Sequence, residues 1–322
     1  MGRKEDVIKI FPQSIRNLFG QSEWNLDELQ EIRLRIHAPL LIVYQNEEFY
    51  VSKDGRISRT EDSAFIVTKN EIRETMEYVS NYSMYAYEEE IRQGFITIQG
   101  GHRVGLAGKI IMERDSIKSM KYISFINIRL SHQIKGCADP VMPYIRQGSE
   151  IYHTLIISPP RRGKTTLLRD VIRQLSDGDR VYRGMTVGVV DERSEIGACY
   201  MGIPQNELGI RTDILDCCPK VQGMLMLIRT MSPQVIAVDE IGSREDMEAM
   251  IHVMNCGCKL IATVHGSSIE DIRSKPILRK LLQERIFERY IVMNSQEQIG
   301  KIAEIFDCQG NPLYNRMEVT MC

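Results

Sequence analysis

Ser158-Pro-Pro-Arg-Arg-Gly-Lys-Thr165 joins a short apolar run, Thr154-Leu-Ile-Ile157, to an amphipathic helical pattern beginning near Thr166. A loop of this kind between a strand and a helix binds phosphate. Consecutive backbone N–H groups at the helix N-terminus face one concavity, with the helix dipole behind them. Lys164 adds a mobile cation for the β- and γ-phosphates, and the Thr165 hydroxyl is a ligand for Mg²⁺. The loop departs from Gly-x-x-x-x-Gly-Lys-Ser/Thr, since Ser158 stands at the first glycine and Arg161 at a middle glycine that many such loops carry. Both restrict the backbone. Pro159 and Pro160 have no N–H to offer, so the cradle falls to the amides of Arg161, Arg162, Gly163, Lys164, Thr165 and Thr166. Arg161 and Arg162 either bring charge toward the phosphates or are solvated surface arginines. The substitutions leave room for weaker nucleotide binding.

Val235-Ile-Ala-Val-Asp239-Glu240 has the form of a Walker B strand. Asp239 at its C-terminal end would hold Mg²⁺ through water, and Glu240 beside it would polarise an attacking water. Strand-end carboxylates face the ligand crevice of an open α/β sheet. The alternative, that the pair caps the next helix, loses ground because Ser243 already serves as a cap. Asp191-Glu192-Arg193 ends another apolar run in the same way, so Glu192 competes with Glu240 for the water, with Glu240 the favoured of the two. Thr263-Val-His265-Gly266 follows a further strand and places His265 to sense the γ-phosphate, against its reading as a satisfied, non-catalytic histidine. Arg103, Arg129, Arg211 and Arg229 are candidates to reach the nucleotide from a neighbouring subunit or domain, though an isolated arginine is more often in a surface ion pair.

The elements that must position these residues follow from periodicity. Helix-like spacing runs through Ile8, Ile15 and Leu18, and strand-like segments cover Glu31 to Ile36, Leu40 to Tyr44 and Phe49 to Ser52. Thr68-Lys-Asn-Glu71 has the spacing of a capping box, opening a helix with Ile72, Met76 and Val79 on one face. Three more strands are expected within Gly94–Gly101, His102–Ile111 and Ile123–Leu130. A connector with Gly136, Pro140 and Pro143 leads into a βα alternation, the pattern of a parallel sheet covered by helices. Leu167, Leu168, Val171, Ile172 and Leu175 share a helical face that stops at Gly178. Val187–Val190 and Val235–Val238 are apolar throughout, as strands buried on both faces must be. Ser243-Arg-Glu-Asp246 caps a helix with Met247, Met250, Ile251 and Met254 inward, ending at Gly257, and Lys259–Thr263 is the next strand. The expected fold is therefore α/β: a P-loop core of mostly parallel sheet with helices on both faces at residues 132–322, behind a smaller α+β domain at 1–131.

The 322 residues carry a formal charge of −2, with 43% hydrophobic and 26% charged residues, which indicates a soluble composition without a general pull toward nucleic acid or acidic lipid. The first residues, Met-Gly-Arg-Lys-Glu-Asp, lack the apolar stretch of a signal peptide, and no apolar run approaches the roughly 18 residues of a membrane span, so a cytoplasmic location is expected. Eight scattered cysteines, Cys137, Cys199, Cys217, Cys218, Cys256, Cys258, Cys308 and Cys322, argue for buried or half-buried free thiols rather than a disulfide framework or a zinc site.

Four segments together resemble the stage III sporulation protein AA family: Thr154–Asp170, Val190-Asp-Glu-Arg-Ser-Glu-Ile196, Gly209-Ile-Arg-Thr-Asp-Ile-Leu-Asp216 and Val238-Asp-Glu-Ile-Gly242. Gly100-Gly-His-Arg-Val-Gly-Leu-Ala-Gly-Lys109 in the first domain does so too, so the likeness runs from about Glu31 to His265. That family is similar to the ATPases of type II and type IV secretion systems, which implies an N-terminal domain followed by a RecA-like core. The resemblance implies ATP and Mg²⁺ as cofactors, with Lys164 and Thr165 as the phosphate and magnesium residues and Asp239 and Glu240 as Walker B. It makes Asp191 and Glu192 an Asp box, Thr263 and His265 a His box, and Arg103 and Arg129 arginines that reach nucleotide from the N-terminal domain. It further implies a homo-oligomeric ring, with a hexamer expected. The ring would work in the mother cell of a spore-forming bacterium, peripheral to the engulfing membrane through a polytopic platform protein, as motor of a channel to the forespore. Two other readings stay open: a nucleic-acid-dependent P-loop ATPase, which the neutral charge and 7% aromatic content weigh against, and a ring component that binds nucleotide without turning it over.

Overall fold

The computed structural model describes residues 7–22, 24–25, 28–294 and 300–315. They form two compact units, one of residues up to His132 together with Ala198–Gln205, the other of Gln133–Gly197 and the residues from Asn206 onward. The first unit thus recruits an eight-residue segment from far along the chain, which no composition shift announces.

In this first unit α1 (Gln13–Gly20) buries Ile15, Leu18 and Phe19. Pro12 at its N-cap separates it from the helical residues Val7 and Ile8, so the helical spacing read through Ile8, Ile15 and Leu18 spans a break between two helical segments. There follow β1 (Leu29–Arg35), β2 (Leu41–Tyr44), β3 (Glu47–Val51), β4 (Ile57–Ser58), α2 (Lys69–Val79), α3 (Glu88–Gln93), β5 (Phe95–Ile98), β6 (His102–Glu113) and β7 (Ser116–Arg129). The capping box holds: Thr68 Oγ1 accepts from the Asn70 N–H, and the Glu71 carboxylate accepts from the Thr68 N–H at 2.8 Å. The strands make one antiparallel sheet in the order β4-β3-β2-β1-β7-β6-β5. Its alternating Ile32, Leu34, Ile42, Val104, Ile126 and Ile128 are buried in a common core with Ile72, Met76 and Val79 of α2. β6 and β7 run on beyond their flanking strands as a hairpin through residues 109–121, longer than the apolar spacing suggested.

The second unit opens with α4 (Met142–Ile145), β8 (Arg146–Gln147), β9 (Glu150–Ile151), β10 (Thr154–Ser158) and α5 (Lys164–Asp177). It continues through β11 (Val187–Asp191), β12 (Thr212–Asp216), α6 (Lys220–Thr230), β13 (Val235–Val238), α7 (Arg244–Asn255) and β14 (Lys259–His265). The short helices α8 (Ile269–Ser274) and α9 (Pro276–Gln283) precede β15 (Arg289–Met293), β16 (Ile302–Asp307) and β17 (Pro312–Asn315). The main sheet has the order β12-β11-β13-β14-β10-β15-β16-β17. Its pairs are parallel from β12 through β15 and antiparallel at β15–β16 and β16–β17. Two apolar layers cover it. Leu155, Ile157, Val190 and Ile236 pack with α6, α7, α8 and α9 on one face, while Ile156, Val187, Val189 and Val235 pack with α4 and α5 on the other. Strands buried on both faces are why these runs are apolar without alternation.

Ser243 caps α7 by accepting the Asp246 N–H at 3.0 Å, as its sequence predicts, and Gly178 ends α5. β12, α6 and the three C-terminal strands were not predicted. Gly223 shows how closely α6 lies on the sheet, because a Cβ there would come within 2.4 Å of Val190 Cγ1. Alanine in a helix gains about 1 kcal/mol over glycine. Overpacking against a stiff, buried valine costs about 1–3 kcal/mol. Gly223→Ala should therefore lower the unfolding free energy in a denaturant titration, and an increase would show that the helix can move off the strand freely.

Candidate functional site

Parallel order puts the carboxyl ends of β10, β14 and β13 side by side, with β14 in the middle. Ser158 at the end of β10 is in register with His265 at the end of β14. The loop Ser158–Gly163 then turns into α5 through two left-handed residues, Arg161 at φ 59° and Gly163 at φ 91°. Glycine takes that conformation without strain, and arginine does not. Lys164 and Thr165 are therefore delivered on the first turn of α5, two residues earlier than the helical periodicity suggested.

Lys164 is 5% exposed. Its Nζ lies 2.9 Å from Asp239 Oδ1, 3.1 Å from Glu240 Oε1 and 3.1 Å from Thr263 Oγ1. Thr165 Oγ1 donates to Asp239 Oδ2 at 2.6 Å. The Thr263 hydroxyl donates to Asp239 Oδ1 and accepts the Glu240 N–H at 2.9 Å. Burial pushes the Asp239 carboxyl up, but the Lys164 ammonium and the two threonine hydroxyls outweigh it, leaving the group below the ordinary carboxylate range. Glu240 is likewise raised by burial and lowered further by Lys164 and His265, with a net shift downward. His265 Nε2 is 2.8 Å from Glu240 Oε1, and Arg193 Nη1 is 2.9 Å from Oε2. Glu240 itself sits at φ 55°, an unfavourable conformation for a non-glycine residue that turns the chain sharply after the strand.

The donor set fits a nucleotide with its metal. A helix-start ammonium suits phosphate oxygens, and the Thr165 hydroxyl and Asp239 carboxylate are hard oxygen ligands of the type Mg²⁺ takes. Beside the first turn of α5 a cavity of about 420 Å³ is lined by Gly163, Thr166, Leu167, Cys137, Ile302 and Tyr314, among others. Pro159, Pro160, Arg161 and Arg162 follow β10, with Arg161 exposed and the Arg162 carbonyl accepting the Gly300 N–H at 3.0 Å.

The two acidic strand ends, alike in sequence, differ in structure. Glu192 is outside the Lys164 cluster and pairs with Lys220 at 2.8 Å. Asp191 is 2% exposed and accepts the N–H groups of Glu195, Ile196 and Gly197 at 2.8 Å each, fixing the loop after β11. Two residues escaped the sequence reading. Arg193 stands directly after the acidic pair and could have been weighed. Lys220 contacts both Glu192 and the Glu240 carbonyl, at 3.0 Å, and carries no signal beyond starting a helix after a proline.

Arg103 and Arg129 are cross-strand partners on β6 and β7 of the first unit. The Arg103 guanidinium lies over the Phe95 ring at 3.5 Å, and Arg129 Nε is 3.9 Å from Glu31 Oε1. Arg211 donates to the Ser176 carbonyl at 2.9 Å, and Arg229 is exposed in the last turn of α6. Cys199 and Cys258 are buried and Cys137, Cys218 and Cys308 half-buried, but Cys217 and Cys256 are exposed, contrary to expectation; Cys322 lies outside the described residues, as do the first six. Among the described residues no helix is long and apolar enough to cross a membrane.

The family model for sporulation stage III, protein AA matches residues 1–313. The chain is 41% identical to the stage III sporulation protein AA of Bacillus subtilis over 98% of its own length and 99% of the relative's. Its fold is similar to the ATPase DotB of Legionella pneumophila, at 14% identity and TM-score 0.54 over 87% of this chain and 77% of that one. It is also similar to the pilus retraction motor PilT with bound ADP, at 16% identity and TM-score 0.53 over 83% and 74%. The second unit is thus a RecA-like α/β core preceded by an antiparallel-sheet unit.

Burial pushes the Asp191 carboxyl up to about 6, against the pull of the N–H groups it accepts. An unfolded aspartate titrates near about 3.9. Between these values the native chain holds a proton that the unfolded chain has lost, so this group's contribution to stability falls as pH rises from about 4 to about 6. Asp239 and Glu240 act oppositely, contributing above the ordinary carboxylate range and losing that contribution below it. Denaturant midpoints measured across this window should decline in the wild type by a component that Asp191→Asn lacks; identical profiles would refute the raised Asp191 value.

Proposed function

The chain belongs to the sporulation stage III protein AA family, and from that premise we propose that it binds ATP with Mg²⁺ at the Lys164 cluster and hydrolyses it as the motor of a secretion-like channel in endospore formation. The observation that carries this reading is the contact of Lys164 Nζ with Asp239 at 2.9 Å and Glu240 at 3.1 Å, which ties the phosphate loop to the acidic strand end.

In this reading the amides of Arg161 through Thr166 and the Lys164 ammonium hold the phosphates, Thr165 and Asp239 hold the metal, and the cavity beside Thr166 takes the nucleoside. Mg²⁺, when bound, neutralises phosphate charge. Glu240 orients the attacking water and takes its proton. Its lowered pKa keeps it ionised at neutral pH, and the His265 imidazole at 2.8 Å fixes the carboxylate's direction. Glu192, held by Lys220, is assigned no part in the proton transfer. Arg103 and Arg129 complete the charge around the nucleotide of a neighbouring copy, which makes the working form a ring, a hexamer by the likeness. We place the ring at the cytoplasmic face of the mother-cell membrane, held there by a platform protein.

The two prolines of the loop favour a second reading, nucleotide binding with little turnover, because they remove two amides from the cradle. ATP hydrolysis and nucleotide binding measured on the same concentrated protein separate the two. Turnover should fall about 100-fold or more in Glu240→Gln, in keeping with loss of a general base. It should fall likewise in Lys164→Ala, and stay near wild type in Glu192→Gln. Rates indifferent to Glu240 and Lys164 would remove their assigned roles, and tight binding without turnover in the wild type would establish the second reading.

A further inference from the structure

Away from the Lys164 cluster, the second unit carries a cavity of about 970 Å³ between α8, α9 and the β16–β17 turn. That size lies within the range of small-molecule sites. Its lining includes Arg273, Arg279 and Arg285, with Glu270 as the opposing charge, and the apolar Ile269 and Leu282. No ion pair joins any of the three guanidinium groups to a carboxylate among the described residues, whereas most of the arginines in the first unit's sheet and turns have such a partner. Arg279 donates its Nε to the Arg273 carbonyl at 2.7 Å, which leaves its terminal nitrogens available. Tyr290 also lines the cavity; it is 2% exposed and its hydroxyl has no hydrogen-bond partner among the described residues. A buried hydroxyl without a partner is unusual in a folded chain. Burial pushes the Tyr290 phenol up to about 12, so it remains a donor at neutral pH.

We propose that this basin is a second ligand site, separate from the nucleotide cluster, which takes a phosphate-bearing anion held by Arg273, Arg279 and Arg285 with the Tyr290 hydroxyl as a donor at the floor. Guanidinium groups pair with phosphate through two parallel N–H bonds, and three of them around one concavity give a charge density that a lone surface arginine lacks. Ile269 and Leu282 in the lining offer apolar contact to a ligand with a carbon skeleton behind its phosphate. The Tyr290 phenol supplies directionality, since it is a donor for which no group competes among the described residues.

Inorganic pyrophosphate is the probe, and the readout is local: the δ1-methyl NMR resonance of Ile269, which lines the basin, in isoleucine-labelled full-length protein. Pyrophosphate should shift this resonance saturably, and the joint Arg273→Ala, Arg279→Ala and Arg285→Ala variant should weaken the response by at least about tenfold. Tyr290→Phe should weaken it several-fold without lowering the thermal midpoint, because the hydroxyl it removes has no partner to lose. A parallel sedimentation assay with phosphatidylglycerol and phosphatidylcholine vesicles identifies the source. Arginine-dependent capture by the anionic vesicles assigns a lipid headgroup, and saturation by pyrophosphate without such capture assigns a free phosphorylated molecule. An Ile269 resonance unmoved by millimolar pyrophosphate, a shift that survives loss of all three arginines, or a response to an acidic peptide alone would each overturn the proposal. The measurement is made in Lys164→Ala protein, so that pyrophosphate at the phosphate loop does not contribute, and it stands or falls independently of ATP turnover.

Discussion

A buried ammonium has to be met by opposite charge, and around Lys164 that requirement organises the site. Removing such a cation from water is costly unless carboxylates and hydroxyls replace the lost hydration. Asp239, Glu240 and Thr263 do so from two different strands. The arrangement depends on β14 lying between β10 and β13, since this brings Thr263 into contact with both the helix-borne lysine and the acidic strand end. The sheet topology and the site's electrostatics are one constraint seen at two scales.

The same constraint separates residues that look equivalent. Asp191 and Asp239 both end buried strands, but one has backbone N–H groups as its partners and the other has an ammonium and two hydroxyls. Burial dominates for the first and raises its pKa, while the ammonium dominates for the second and lowers it. A carboxylate held by backbone amides fixes a loop; one held by an ammonium and two hydroxyls closes a side-chain cluster. Glu240 and Glu192 divide in the same way, each by the lysine it meets.

The first unit contributes a different kind of surface. Its sheet displays Arg103 and Arg129 opposite one another, and its core is built from strict two-residue alternation, unlike the continuously apolar strands of the second unit. Alternation marks a sheet with one wet face, and on that face Arg103 lies over Phe95 and Arg129 beside Glu31. The arginine-lined basin shows the complementary case, in which cations gather with no carboxylate ion pair among the described residues.

Local chemistry was enough for much of this. A glycine, lysine and threonine between a strand and a helix, the capping boxes at Thr68 and Ser243, the stop at Gly178 and the unbroken apolar runs were legible because each depends on residues a few positions apart. β12, α6 and the C-terminal strands were missed because their apolar content is short or shared between faces. The sequence could name Lys164, Asp239, Glu240 and His265 as reactive types at strand and helix ends. It could favour Glu240 over Glu192, but it could not say which lysine each would meet, recruit Ala198–Gln205 to the first unit, or gather Arg273, Arg279, Arg285 and Tyr290 around one cavity. Those outcomes depend on which strands become neighbours and which side chains lose water together, and only the folded chain decides that.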